Sequence, residues 1–180
     1  MRVFDWLIVP KDFWFVSDTH FGHEGALKWS ATRSAAFDSV GEMDEHMIER
    51  WNSVVKPGDI VYHLGDVFLG GNSQERKQEV MSRLRGSKRL LLGNHDDAIS
   101  LGRGGWFTKI NLWRVWNDKP LLFSHVPVHP DSLMERVIGE GGVNVHGHTH
   151  DSGSPDGPYR SVCVELTKFT PVNLEEITYG

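Results

Sequence analysis

The chain has 180 residues, of which 39% are hydrophobic and 24% charged, and its formal net charge is -5. This balance excludes a disordered chain, and the length predicts a single domain, residues 1–180, with a buried core. No apolar run approaches the roughly 18 residues of a membrane span, and the mild acidity argues against general binding to nucleic acid.

Two features of the sequence predict a cytoplasmic protein. The N-terminal residues, Met1 to Asp5, interrupt their apolar run with a charge and offer no small-residue cleavage site, so we expect no signal peptide. Cys163 is the only cysteine, which excludes an intramolecular disulfide bond and indicates a reducing compartment.

Five short apolar runs predict buried strands, and each run ends in glycine or polar residues. In chain order they cover residues 13–16, 60–64, 89–92, 121–123 and 143–146. Apolar residues at spacings of three and four predict a helix over residues 42–55. Asn72 or Ser73 can cap a second helix that reaches about Leu84.

Three segments complete this pattern. Residues 117–120 predict a hairpin or tight turn, residues 151–158 a surface loop, and residues 159–166 a late strand. Strands that alternate with helices predict a layered α/β fold, in which functional groups gather at the ends of several strands.

Ten histidines stand out, and several of them follow the predicted strands directly. The candidate ligands at these strand ends are Asp18, His20, Asp66, Asn94, His125, His148 and His150. Imidazole, carboxylate and amide groups suit divalent ions, and a carboxylate can bridge two of them. The set therefore predicts a site for two ions about 3.5–4 Å apart. Any one of these clusters is also compatible with an ordinary polar turn; the five together favour the metal site.

In this order the motifs resemble the calcineurin-like metallophosphoesterase superfamily. The residues that carry the resemblance are Asp18-Thr19-His20, Gly65-Asp66, Gly93-Asn94-His95-Asp96, Ser124-His125 and Gly147-His148-Thr149-His150. Phe21-Gly22-His23, Trp51-Asn52 and the segment from Pro171 to Ile177 are similar to the small single-domain members found in bacteria and their phages. The resemblance implies a four-layer α/β/β/α sandwich with the metal site at the strand ends.

The resemblance also implies a role for each motif residue. The implied ligands are Asp18, His20 and His150 for the first metal, and Asn94, His125 and His148 for the second, with Asp66 bridging both. His95 would assist the leaving group as general acid or transition-state stabiliser, and Asp96 would orient it. We take His23, Asn94 and His95 as candidate substrate contacts.

The implied activity is that of a metal-dependent phosphoric ester hydrolase in which metal-bound hydroxide attacks phosphorus. Its cofactors would be two divalent ions, manganese first, with iron, zinc or nickel as alternatives. A site without a cap domain should be open, which favours phosphodiesters over phosphomonoesters. The candidate substrates are then small phosphate esters such as nucleotides, including cyclic nucleotides.

Three histidines have more open predictions. His23 lies one turn after the first metal pair and is equally compatible with a phosphate contact and with a surface position. His63 is predicted to be buried and hydrogen-bonded within its strand, and His146 to pack or to support the motif that follows it. We expect residues 101–106 and 140–142 to be loops, because both stretches are rich in glycine.

Two other functions are compatible with parts of the sequence. A nuclease would use the six basic residues that lie between Arg76 and Arg89, although a solvated helix face explains them as well. A non-catalytic protein-binding module of the same fold usually loses the histidine that is retained here as His95. A histidine-rich metal store would instead cluster its histidines in surface tracts.

Overall fold

Two β-sheets packed face to face form the centre of the computed structural model, which describes residues 11–133 and 140–179. The strands of the first sheet are β1 Phe13–Val16, β2 Ile60–His63, β3 Ser87–Leu91, β4 Phe107–Asn111 and β9 Val172–Asn173. Their order is β4-β3-β2-β1-β9, with β1 to β4 parallel and β9 antiparallel to β1. The carboxyl ends of four parallel strands therefore share one edge of this sheet.

The second sheet has four strands in the order of the chain. They are β5 Trp113–Trp116, β6 Leu121–Ser124, β7 Val143–His146 and β8 Tyr159–Ser161. β5 is antiparallel to β6, and residues 117–120 connect them, which confirms the predicted hairpin. β6, β7 and β8 run parallel, so their carboxyl ends also share one edge.

The alternation of side chains along β1 explains the two cores. Phe15 points between the sheets and stacks on Tyr62 and Phe123, with ring centroids 5.6 and 4.7 Å apart. Val16 points to the other face and belongs to the core beneath the helices. A strand buried on both faces carries apolar residues at every position, as this run does.

Six helices are described. They are α1 Ala26–Trp29, α2 Ala31–Ala36, α3 Val40–Val54, α4 Gln74–Arg83, α5 Ala98–Gly104 and α6 Leu174–Tyr179. The apolar stripe of α3 packs on the first sheet through buried residues such as Met43 and Trp51. Ser39 and Ser73 cap α3 and α4 by accepting hydrogen bonds from Glu42 N and Arg76 N. Both predicted helices are therefore confirmed.

The mixed α/β sandwich of the sequence prediction is confirmed, with two local corrections. Residues 101–106 were expected as a loop, yet α5 covers part of them, because Asp97 caps its start and Leu101 is buried. The late strand ends at Ser161, not at Leu166. On the outer face of the second sheet, Leu133 packs against Leu122 from a short 3-10 helix.

None of the helices within residues 11–133 and 140–179 is long and apolar enough to span a bilayer. The expectation about a signal peptide concerns Met1 to Asp5, which lie outside the described residues.

Candidate metal centre

The carboxyl ends of both sheets meet at one end of the sandwich, and the predicted ligands lie there. β1, β2 and β3 lead into the segments with Asp18, Asp66 and Asn94, while β6 and β7 lead into those with His125 and His148. The cluster contains two sets of three residues, and within each set the donor atoms lie within 4.8 Å of one another. The first set is Asp18, His20 and His150; the second is Asp18, Asp66 and His125. Residues far apart in sequence thus form one compact cluster.

The backbone of this cluster is strained. Among the described residues, the non-glycine residues with positive φ are Asp18, His20, Asp66, His148, His150, Lys168 and Phe169. Five of these seven are predicted ligands. A left-handed conformation costs on the order of 1 kcal/mol or more for residues with a Cβ, so the surrounding structure holds them in it. Such strain is concentrated where a side chain must be aimed at a ligand.

Asp18 presents one held oxygen and one unpartnered oxygen. Its Oδ2 accepts hydrogen bonds from His148 N at 2.8 Å and from Cys163 Sγ at 3.3 Å. Its Oδ1 has no hydrogen-bond partner among the described residues, although the carboxylate is fully buried. His150 Nε2 lies 3.5 Å from this oxygen. The protein fixes the carboxylate through Oδ2 and leaves Oδ1 available.

Asp66 and His125 form the other half of the cluster. His125 Nε2 lies 3.3 Å from Asp66 Oδ2 and 2.9 Å from Asn94 Oδ1, while its Nδ1 donates to Leu64 O at 2.8 Å. Burial raises the pKa of Asp66, but the hydrogen bond from His125, the backbone hydrogen bond from His95 N and nearby positive charge together outweigh burial and bring the pKa to about 2. Asp66 is therefore a carboxylate at neutral pH. The ring of His148 adjoins that of His125, with centroids 5.1 Å apart.

The donor set fits divalent cations. His20 Nε2 lies 3.7 Å from Asp66 Oδ2 and 3.9 Å from Asp18 Oδ1, and it has no hydrogen-bond partner among the described residues. Burial lowers the pKa of His20 to about 2, so its ring is neutral and keeps a lone pair for a ligand. Two buried carboxylates beside the uncharged ring of His20 make a donor set that the positive charge of divalent ions would suit.

His95 and Asp96 lie at the mouth of this cluster and differ in their contacts. His95 is exposed; its ring centroid lies 5.8 Å from that of His20, and its backbone N donates to Asp66 Oδ1. Asp96 accepts from Asp66 N and Gly93 N through Oδ2 and from Val67 N through Oδ1, each at 2.9 Å. The described hydrogen bonds of Asp96 thus join two ligand loops. These three hydrogen bonds favour a role for Asp96 in joining the loops; that Asp96 orients the His95 ring stays a prediction.

The prediction that His63 is buried and hydrogen-bonded is confirmed, and its bonds form a directed chain. Gly65 N donates to His63 Nδ1 at 3.2 Å, His63 Nε2 lies 2.9 Å from Thr19 Oγ1, and Thr19 Oγ1 donates to Val67 O. Because Nδ1 accepts, Nε2 carries the proton. Burial lowers the pKa of His63 to about 3, so the ring is neutral. The chain ties the loop after β1 to the loop after β2.

The remaining histidine predictions have mixed outcomes. His146 is buried between Gly147 O and Ser154 Oγ, which confirms its supporting role. His23 is half-buried beside His20, with ring centroids 5.9 Å apart, so it lies at the edge of the cluster.

Sequence reasoning missed three groups that contact predicted ligands. Cys163, expected only as a small strand residue, lies against Asp18. Arg33 and Glu165 were not considered at all, although Glu165 Oε1 lies 2.9 Å from His150 Nδ1. No local motif marks them, because each meets its partner only through the tertiary fold.

The basic stretch considered for a nuclease is largely engaged in local contacts. Arg76 pairs with Asp44 and Glu79, and Arg83 pairs with Glu45. Lys88 donates to the backbone at Leu84 O and Gly86 O. These contacts favour a structural role for the stretch over a phosphate-binding surface.

Comparison with known proteins identifies the family of the chain. The model of the calcineurin-like phosphoesterase family matches residues 11–152, a range that includes every predicted ligand. The chain belongs to this family. Membership supports a metal-dependent phosphoester hydrolase, in agreement with the donor set.

The relatives of this phosphoesterase include archaeal and phage proteins. It is 30% identical to the uncharacterized protein MJ1445 of Methanocaldococcus jannaschii, with 93% of this chain and 89% of that protein covered. It is 34% identical to the gene 66 protein of Mycobacterium phage D29, covering 78% and 79% of the two chains. The crystal structure of AQ665 from Aquifex aeolicus, a protein of unknown function, matches with a TM-score of 0.72 and 25% identity, covering 93% of this chain and 98% of that one.

Proposed function

We propose that this protein is a phosphodiesterase that hydrolyses small phosphate diesters with two divalent ions, manganese first. One ion would bind Asp18, His20 and His150, the other Asn94, His125 and His148, and Asp66 would bind both. One observation carries the proposal. Asp18 Oδ1 and His20 Nε2 are buried, lack hydrogen-bond partners among the described residues, and lie beside further donor groups. Unpaired buried polar atoms are costly unless a ligand satisfies them.

The residues around the ions would prepare the reaction. When bound, the ions supply Lewis acidity, which activates water and offsets negative charge on the phosphoryl group. The hydrogen bond from His125 Nδ1 to Leu64 O leaves Nε2 as the ring nitrogen that would face an ion. His95 is exposed at the mouth and would hold a proton for the leaving oxygen. The backbone N of His95 donates a hydrogen bond to Asp66 Oδ1, and this bond holds His95 beside the centre.

The surface around the centre supports a diester with an aromatic or apolar substituent. An open cavity of about 310 Å³ is lined by His20, Trp29, Asp66, Leu69, His95, His148 and His150. Trp29 is 47% exposed, and its ring centroid lies 4.5 Å from that of His150. An exposed indole beside a phosphoryl site can stack on a nucleobase or another flat group. We assign His23, Asn94 and His95 to contact the phosphate itself.

The test compares bis(p-nitrophenyl) phosphate with p-nitrophenyl phosphate after metal removal and reloading with Mn²⁺. We expect faster hydrolysis of the diester. Asp66→Ala should lose both metal binding and activity. His95→Ala should still bind metal but lose about 10²–10⁴-fold in rate, the usual contribution of an acid–base group. The control is His46→Gln, because His46 of α3 packs against Phe37 and Phe169 and its replacement should not affect the rate.

The outcomes separate the finer proposals from one another. Equal activity of wild type, Asp66→Ala and His95→Ala would exclude this centre as the catalytic site. Hydrolysis of the monoester alone would refute the diester preference. Cleavage of an oligonucleotide with a steep loss of binding in salt would instead favour a nuclease. Reloading with Fe²⁺, Zn²⁺ or Ni²⁺ in parallel tests the manganese preference.

A further inference from the structure

A fully buried positive charge lies near the centre at Arg33 of α2, a residue that no predicted motif includes. Its side chain is fully buried, as is that of Glu165, and Arg33 Nε donates to Glu165 Oε1 at 2.7 Å. The guanidinium also donates to Thr19 O at 3.0 Å and to Asp18 O. A buried guanidinium is unfavourable unless it is fully paired, and here its fork spans three acceptors.

Glu165 extends this pairing to a predicted ligand. The same oxygen that accepts from Arg33 accepts from His150 Nδ1 at 2.9 Å. This contact favours a proton on Nδ1 of His150, so Nε2, which lies 3.5 Å from Asp18 Oδ1, is the ring nitrogen that would face the ion. Hydrogen bonds thus connect the buried cation of Arg33, through Glu165, to the His150 ring of the centre.

We propose that Arg33 and Glu165 are positioning residues for the first metal ion. Arg33 holds the backbone of Asp18 and Thr19, and Glu165 holds the ring of His150, so the pair fixes two of the four proposed ligands of that ion. The inference rests on the proposed function, because it concerns the same centre. None of the described hydrogen bonds of this pair reaches Asn94, His125 or His148, the ligands proposed for the second ion alone.

A merely structural ion pair makes a different prediction. Well-packed apolar residues often stabilise a core as much as a buried ion pair does, so stability alone does not require Arg33 and Glu165. The shared oxygen of Glu165 is the distinguishing feature, because it links the pair to a ligand ring. If the pair positions ligands, its loss should weaken the binding of one ion and leave the binding of the other unchanged.

The experiment titrates metal-free protein with Mn²⁺ by calorimetry and compares wild type with Glu165→Gln, Glu165→Ala and Arg33→Lys. We expect the affinity for one of two ions to fall about 10–100-fold in Glu165→Ala and less in Glu165→Gln, which keeps an acceptor oxygen. Affinity for the other ion should stay unchanged. Co²⁺ absorption of the same variants reports the altered ligand geometry without any activity measurement.

The matched control is Asp59→Asn. Asp59 is also a buried carboxylate that accepts from Trp14 Nε1 and Lys56 N, but it lies before β2, at the opposite end of the sandwich. The Asp59→Asn variant should have a lower free energy of unfolding and unchanged affinities for both Mn²⁺ ions. Unchanged affinities in all of the folded Glu165 and Arg33 variants, or an equal loss at both ions, would overturn the inference. Wild type that binds no ion would instead overturn the proposed function.

Discussion

Asp96→Asn tests whether Asp96 joins the two ligand loops or orients His95. The carboxylate accepts three backbone hydrogen bonds, two at Oδ2 and one at Oδ1, all at 2.9 Å. Asparagine has one acceptor oxygen, so its better rotamer keeps the two bonds from Asp66 and Gly93. Its amide group then faces Val67 N, another donor. Losing one charge-assisted bond and creating this conflict should destabilise the protein by about 1–3 kcal/mol.

The measurement is urea unfolding of metal-free protein at neutral pH. The control is Asp97→Asn, because the neighbouring Asp97 caps α5 with both described bonds on one oxygen, to Ile99 N and Ser100 N. Asparagine keeps both bonds and caps nearly as well, so the control should change stability by less than about 0.5 kcal/mol. An Asp96→Asn variant as stable as its control, but with a reduced rate, would refute our reasoning and restore the orienting role.

Three further changes test other features. In Gly147→Ala the new Cβ would lie 1.9 Å from Ser17 Oγ and 2.5 Å from Asp18 Oδ2. We therefore expect about 1–3 kcal/mol of destabilisation and weaker Mn²⁺ binding. In the control Gly102→Ala the new Cβ meets no atom within 4 Å, so this variant should be as stable as wild type or more stable. The pKa of His63 falls from about 6.5 to about 3 on folding, so stability should decrease by up to about 1.4 kcal/mol per pH unit as pH falls below 6.5 toward 3. Acid titration of unfolding should show a smaller slope in His63→Gln, and equal slopes would contradict the assignment. Adding Mn²⁺ at 100 times its dissociation constant should raise stability by about 2.7 kcal/mol per site in thermal or urea unfolding, and EDTA should reverse it.

The sequence predicted the strands and the ligand cluster well, because both have local signals. A run such as Phe13–Val16 is apolar at every position, and each polar motif follows such a run directly. The fold then brings these strand ends together. The helix α5 had no such signal, because Gly102, Gly104 and Gly105 weaken helix propensity, whereas the cap at Asp97 and the burial of Leu101 favour it.

Contacts between distant segments could not be predicted in the same way. Arg33 and Glu165 are 132 positions apart, and neither belongs to a recognisable motif. The backbone contacts of Asp96 were also hidden, because the sequence places it beside His95 while the fold directs its oxygens to three backbone amides. The left-handed conformations at five ligand positions oppose ordinary residue preference, so tertiary contacts, not local propensity, impose them.

The division of the ligands between the sheets has a consequence for dynamics. Asp18 and Asp66 follow strands of the first sheet, whereas His125 and His150 follow strands of the second. Bound ions would therefore crosslink the sheets at one end only, beyond the aromatic stack of Phe15 and its neighbours. Amide hydrogen exchange should then slow at the carboxyl ends of strands in both sheets on metal loading, including β8, which precedes no ligand. The amino ends of the same strands should exchange at nearly the metal-free rate.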